Sequence, residues 1–323
     1  MIPGLIFLIL IFSFILIKAA DSIIIAVRRL SKQTHTKLFT LSAIILAIGT
    51  SLPEMSVGIT SALEGNPSLS LGAVTGSNIA NIALVGGIAS LFAGKVTVRG
   101  TYLKRDLWIA MVAGLLPMLF LLDSKLSRVD GLVLLSVYGA YAFSFFRRRY
   151  AEIAHEQQEE SYVYRFLRRF NHIDARRRRE IARLFIGVAV MLFAADTIVK
   201  LATQMSELMG LPSFVVGVVL VAIGTSLPEL AFSFRALNDH HPSMFFGNLL
   251  GSTIANSTLV IGLVSVISPF EVVAVHKYFI AYAFFLLIYI SFLLLIRTKH
   301  RLDRWESVIL ILLYLVFVVV VIF

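Results

Sequence analysis

The chain has 323 residues, of which 58% are apolar and 15% charged, against about 45–50% and about 25% in a soluble domain. Both departures exclude a soluble enzyme, a disordered protein and a nucleic-acid-binding module, so the net charge of +10 must be read by where the basic residues fall. Cysteine is absent, which removes disulfides and thiolate chemistry and leaves oxygen or imidazole to hold any metal.

Runs of roughly 20 mainly apolar residues mark transmembrane helices. Ten are expected, near 2–20, 38–62, 69–92, 107–122, 130–146, 184–206, 212–237, 243–269, 277–296 and 305–323. They are apolar on all faces, as helices in lipid or in a packed bundle are. The first run ends at Ala19–Ala20 like a secretory signal, but no basic residue precedes it and a later segment matches it, so it counts as the first helix.

With ten spans the connections alternate between two sides. One side collects 18–37, 95–105, 147–183, Arg235 and 297–304, which hold 25 of the 29 Lys and Arg; the other holds Lys125, Arg128, Lys200 and Lys277. The rich side is expected to be cytoplasmic, with both termini extracellular, in a multi-pass protein of the cell membrane. The longest connection, 147–183, carries Arg147–Arg149 and Arg176–Arg179. It is expected to anchor the chain by charge, and an interfacial helix binding anionic lipid is the sharper reading.

The sequence repeats itself at a fixed offset. Gly49-Thr50-Ser51-Leu52-Pro53-Glu54 recurs as Gly224-Thr225-Ser226-Leu227-Pro228-Glu229, 175 positions later, and the same offset maps Ala19-Ala20-Asp21 onto Ala194-Ala195-Asp196. It also maps Pro67 onto Pro242, Gly72 onto Gly247, Gly76-Ser77 onto Gly251-Ser252 and Ile79-Ala80-Asn81 onto Ile254-Ala255-Asn256. The expected organisation is a first repeat over 1–146, a connecting loop over 147–183 and a second repeat over 184–323. Each copy starts five helices, an odd number, so the second enters the membrane from the opposite side. The fold class is therefore an all-α integral membrane protein with two inverted five-helix repeats, whose matching motifs meet near the bilayer midplane.

Glu54 and Glu229 are the carboxylates placed deep within apolar spans. A charge there costs at least about 2.5–3.5 kcal/mol on insertion scales and marks a functional site by default. The bland alternative, pairing with Lys or Arg, has no basic residue nearby to use. Two facing carboxylates repel unless protonated or bridged by cations. The proline before each glutamate interrupts the helix at Thr50/Ser51 and Thr225/Ser226, a break tolerated in lipid only where the freed carbonyls are buried or line a cavity.

Helical spacing puts Thr50 with Glu54, and Ser77 with Asn81, on shared faces; the second copy supplies Thr225 with Glu229 and Ser252 with Asn256. All eight side chains offer oxygen, which suits hard cations: Ca²⁺ takes 6–8 oxygens, and Na⁺ can use the same hydroxyls and carbonyls. Taken singly, a Ser/Asn pair serves equally well as an interhelical hydrogen bond beside the small residues Gly72, Gly76, Gly247 and Gly251. Asp21 and Asp196 fall at expected helix ends, where capping or ion access is equally open, and His240-His241 reads as a solvated loop.

The paired G-T-S-L-P-E motifs, followed by G-S-N-I-A-N at 76–81 and G-S-T-I-A-N at 251–256, resemble the two α-repeats of the cation/Ca²⁺ exchanger superfamily, in its Na⁺/Ca²⁺ exchanger branch. The likeness is close over 19–92 and 194–267. It implies an electrogenic antiporter that exchanges several Na⁺ for one Ca²⁺, with no cofactor. Glu54 and Glu229 would bind the two ions in turn, with Thr50 and Thr225. Ala47 and Ala222 would lend backbone carbonyls, Ser51, Ser77, Ser226 and Ser252 would complete flanking Na⁺ sites, and Asn81 and Asn256 would take the middle position. The first and sixth helices would slide across a fixed core of the second, third, seventh and eighth. Some relatives carry Asp at the position of Asn256; asparagine in both copies leaves two carboxylates and leans against K⁺ dependence.

Ca²⁺/H⁺ exchange is the first alternative, with the glutamates carrying protons. A passive cation channel sits poorly with two inverted copies, which provide two access states. An intramembrane hydrolase lacks a His, Lys or Cys to activate Ser51 or Ser77. No nucleic acid or protein partner is expected.

Overall fold

The computed structural model describes residues 2–33, 51–97, 102–154, 175–272, 275–299 and 301–323. These form an all-helical bundle: α1 (Ile2–Gln33), α2 (Leu52–Leu63), α3 (Pro67–Ala80), α4 (Gly86–Ala93), α5 (Tyr102–Phe120), α6 (Arg128–Ala154) and α7 (Ala175–Met209), then α8 (Ser213–Val216), α9 (Ala222–Thr225), α10 (Leu227–Asn238), α11 (Pro242–Ile254), α12 (Ile261–Ile267), α13 (Val275–Lys299) and α14 (Arg304–Ile322). The short pieces are joined into longer rods. A π-turn at Asn81–Val85 links α3 to α4, another at Gly217–Val221 links α8 to α9, and a third at Ala255–Val260 links α11 to α12.

Eight of the described stretches are long and apolar enough to cross a membrane: Ile2–Ala26, Pro67–Ala93, Arg105–Asp123, Arg178–Met209, Ser213–Asn238, Pro242–Ile267, Val275–Ile296 and Arg304–Ile322. Most of the span expected over 38–62 lies outside the described residues, and α6 covers the one expected over 130–146. The first and sixth spans run further than their apolar runs suggested: α1 has 32 residues and α7 has 35. At 1.5 Å per residue each exceeds the roughly 30 Å hydrocarbon core. At one end of this pair Glu180 receives Arg29 of α1 at 2.9 Å and Arg183 at 2.8 Å. Asp21 and Asp196, expected at helix ends, sit inside α1 and α7; Asp196 holds Lys200 at 2.9 Å.

The apolar interior falls into two parts. One is the large core that gathers α3 to α6 with α10 to α14, and the other lies between α1 and α7 and reaches α2, α3 and the π-turn before α9. Glycines set the closest approaches inside it. A Cβ on Gly72 would fall 2.1 Å from the carbonyl oxygen of Phe214, and one on Gly76 would fall 2.0 Å from that of Val218. Gly247 and Gly251, expected to act alike, meet no described atom within 4 Å; their counterpart neighbours, 39 and 43 by the offset, lie outside the described residues.

Two short strand pairs were not anticipated. Strand β1 (Lys95–Thr97) pairs antiparallel with β4 (Arg301–Asp303), and β2 (Lys125–Leu126) pairs antiparallel with β3 (Phe270–Glu271). Each joins the N-terminal part of the chain to the C-terminal part, and Lys125 adds an ion pair to Glu271 at 2.6 Å. The local backbone also keeps the repeat. Gly65 and His240, 175 positions apart, both adopt positive φ, at 72° and 60°, in the turns that follow α2 and α10. His240 is exposed in that turn, as expected of a solvated loop.

Candidate ion-binding site

In both copies the L-P-E segment opens a helix. Leu52 and Leu227 start α2 and α10, proline fills the first turn where its missing N–H is no loss, and the preceding serine takes the same bridge-region turn in each. Ser51 has φ −90° and ψ 5°, and Ser226 has φ −85° and ψ 0°. The interruption expected at Thr225/Ser226 is thus present, with α9 ending at Thr225 and α10 beginning at Leu227. Thr50 and Ala47 lie outside the described residues. Each glutamate falls in the first turn of its helix, where the positive end of the helix dipole partly offsets the cost of burying a carboxylate.

The two carboxylates are buried, Glu54 at 2% exposure and Glu229 at 0%. Ser77 of α3 donates to Glu54 Oε1 at 3.1 Å, and Ser252 of α11 donates to Glu229 Oε1 at 3.4 Å. The separation in sequence is 23 in both cases. The copies also touch: Ser77 Oγ lies 2.8 Å from Ser226 Oγ. The carbonyl of Ala222 already accepts from Ser226 N at 3.1 Å and from Thr225 Oγ1 at 3.4 Å, so an ion there would have to displace a donor.

What remains unpaired is informative. Glu54 Oε2, Glu229 Oε2, Ser51 Oγ and the side-chain oxygens of Asn81 and Asn256 are buried without a hydrogen-bond partner, as are the two asparagine nitrogens. Protein interiors pair the great majority of such groups, and five unpartnered oxygens on the segments that carry the repeated motifs suit a hard cation. Among the described residues the other buried glutamates are held by arginine or by a helix cap. Glu180 has its two arginines, and Glu306 closes a capping box with Asp303 at the start of α14. Among the described residues no ion pair involves Glu54 or Glu229. Nor does any group of three or more His, Cys, Asp and Glu form a metal cluster there, so the candidate ligand set is two carboxylates among neutral oxygens.

Both asparagines sit on π-turns, Asn81 opening the first and Asn256 second in its own. The extra residue in such a turn re-aims side chains and frees backbone bonds, and it is frequent at functional sites. No residue pattern announced the π-turns. A further cross-link was also missed: Asn78 Nδ2 donates to Ser257 Oγ at 2.7 Å, tying α3 to the turn that carries Asn256. Asn78 was visible within G-S-N-I-A-N, but only packing shows which way it faces.

The profile of the family described as sodium/calcium exchanger protein matches residues 4–147 and 180–323. The chain belongs to this family. Within it, the sodium/calcium exchanger MaX1 of Methanosarcina acetivorans is 29% identical over 97% of both chains. The inner membrane protein YrbG of Escherichia coli is 29% identical over 80% of this chain and 78% of its own. Among solved structures, the sodium-calcium exchanger NCX_Mj matches 99% of each chain at a TM-score of 0.61 and 23% identity. The H⁺/Ca²⁺ exchanger CAX matches 98% of this chain and 84% of its own at 0.73 and 15%. At those identities the two structures speak for the fold alone: this is a multi-pass membrane protein built on the exchanger fold of its family.

Proposed function

We propose that the chain is a secondary antiporter that exchanges Na⁺ for Ca²⁺ across the cell membrane by alternating access. One observation carries the reading: a carboxylate from each copy of the repeated motif is buried in one apolar bundle, unpaired with any described cation, and each keeps one oxygen without a hydrogen-bond partner. Two negative charges neutralise one Ca²⁺, or admit Na⁺ ions in its place. The name and near full-length match of MaX1 support this pair of ions.

In this reading Glu54 and Glu229 bind both ions in turn. Thr50, Thr225, Ser51, Ser77, Ser226 and Ser252 supply hydroxyls, Ala47 and Ala222 carbonyls, and Asn81 and Asn256 the centre. Ten transmembrane helices form two inverted repeats, 1–146 and 184–323, joined by a cytoplasmic loop over 147–183, with both termini extracellular. The strand pairs support the inversion: the offset of 175 carries Lys95–Thr97 of β1 onto 270–272 and 126–128 onto 301–303, so it exchanges β1 with β3 and sets β2 against β4 at their edges. Basic residues of the loop meet anionic lipid. With Asn at 256 the exchange runs without K⁺.

The test is uptake of radioactive Ca²⁺ into proteoliposomes loaded with Na⁺, against liposomes loaded with K⁺ or choline at equal pH, with Glu54→Gln and Glu229→Gln beside wild type. Uptake that requires internal Na⁺ and is lost in both variants supports antiport at these carboxylates. Uptake that ignores Na⁺ but follows an imposed pH gradient establishes Ca²⁺/H⁺ exchange instead.

A further inference from the structure

Ser13 lies on α1, outside both copies of the motif, and is 1% exposed with a hydroxyl that has no hydrogen-bond partner. It is seated against Gly224, the glycine that precedes Thr225 and Ser226. A Cβ added to Gly224 would fall 2.3 Å from Ser13 Oγ and 2.9 Å from Ser13 Cβ, the contacts it would make among the described residues beyond its own stretch of helix. The absence of a side chain at 224 is therefore what lets α1 close on the interrupted helix. The offset places Val188 of α7 at the position corresponding to Ser13, so the hydroxyl belongs to one copy.

A buried hydroxyl without a partner disfavours the state that contains it, and alanine or the valine of the other copy would fill the place without that penalty. A second arrangement of α1, in which the oxygen is bonded or hydrated, would give it a use. Structure and packing agree with a separable α1. The helix shares its apolar cluster with α7 rather than with the large core, and Gly187 of α7 allows it to lie close, since a Cβ there would meet Ile23 at 2.8 Å.

We infer that Ser13 is a positioning residue for ion exchange, which seats α1 on the second motif at Gly224 and couples the place of that helix to the occupancy of the turn at Thr225 and Ser226. This rests on the reading that the motif binds the transported ions. Ser13 is not itself placed among their ligands.

The chain has no cysteine, so Ser13→Cys carries a unique thiol whose labelling by a membrane-impermeant reagent can be followed in proteoliposomes holding Na⁺, Ca²⁺ or neither. We expect labelling rates to differ by about fivefold or more between ion conditions, the low end of ordinary coupling between sites. Ser13→Ala should lower maximal Ca²⁺ uptake by a similar factor, and Gly224→Ala should abolish uptake until Ser13→Gly is added to the same chain. The inference is overturned if the introduced thiol labels alike under every condition while Ser13→Ala transports as wild type, or if Gly224→Ala is harmless, or if Ser13→Gly fails to rescue it. A wild-type chain that takes up Ca²⁺ without need of Na⁺ would instead overturn the Na⁺ coupling alone, because labelling with Ca²⁺ against no ion still reads the seat of α1.

Discussion

The hydroxyls of Ser77 and Ser226 lie 2.8 Å apart, although the residues are separated by 149 positions. Ser77 also donates to Glu54 at 3.1 Å, so one side chain ties the first carboxylate to the interrupted helix of the second copy. Ser252 reaches Glu229 at 3.4 Å, a weaker bond on distance alone. Ser77→Ala is therefore expected to raise the Ca²⁺ concentration for half-maximal uptake more than Ser252→Ala does, by about tenfold for a hydrogen bond to a charged group. A double-mutant cycle of Ser77→Ala and Ser226→Ala should give a coupling of about 0.5–3 kcal/mol, and strict additivity would deny the contact.

Burying two uncompensated carboxylates costs stability that a bound cation restores. Purified protein in chelator should unfold at a lower temperature than protein in Ca²⁺, because a ligand that binds only the folded state at 100 times its Kd contributes about 2.7 kcal/mol. Glu54→Gln and Glu229→Gln should each raise the melting temperature in chelator and erase most of the Ca²⁺ increment. A variant that melts as wild type does in both conditions would place its carboxylate outside the site.

Gly72 and Gly76 put backbone against backbone, with carbonyl oxygens 2.1 and 2.0 Å from where a Cβ would stand. A carbonyl cannot swing aside as a side chain can. Gly72→Ala and Gly76→Ala should each destabilise the fold by about 3 kcal/mol, the upper part of the range for overpacking, with transport lost in parallel. Thermal unfolding in detergent measures the first and Ca²⁺ uptake the second.

At the exposed strand pair, the Glu271 carboxylate beside Lys125 holds its ammonium group above the ordinary lysine range, chiefly through their hydrogen bond. A pKa raised by folding means that this contribution is complete below the unfolded value and disappears as pH climbs through the folded one. Lys125→Met should leave stability at neutral pH and moderate salt almost unchanged, as for most exposed pairs, and should flatten the stability curve only on the alkaline side, above the usual lysine pKa. Chemical unfolding between neutral pH and pH ~11 checks the sign.

The membrane class, most of the spans and the burial of Glu54 and Glu229 were legible because they rest on composition and on a repeat free of gaps. What escaped has no strong one-dimensional signature. A π-turn at Asn81 or Asn256 looks like any apolar helix until the backbone is seen, and strands of two or three residues leave no periodicity. Ser13 was hidden for another reason: an isolated serine in an oily helix draws no notice until its neighbour proves to be Gly224. The reach of α1 beyond Ala20 was lost because charged residues were read as the end of a helix, whereas Arg29 continues it toward Glu180 on α7.

The strand pairs β1 with β4 and β2 with β3 are made wholly between the two parts of the chain. Neither part can complete its own hem. Severing the peptide within 155–174 would thus leave two polypeptides that each lack edge partners the other holds, and co-expressed fragments should find one another without a covalent tether.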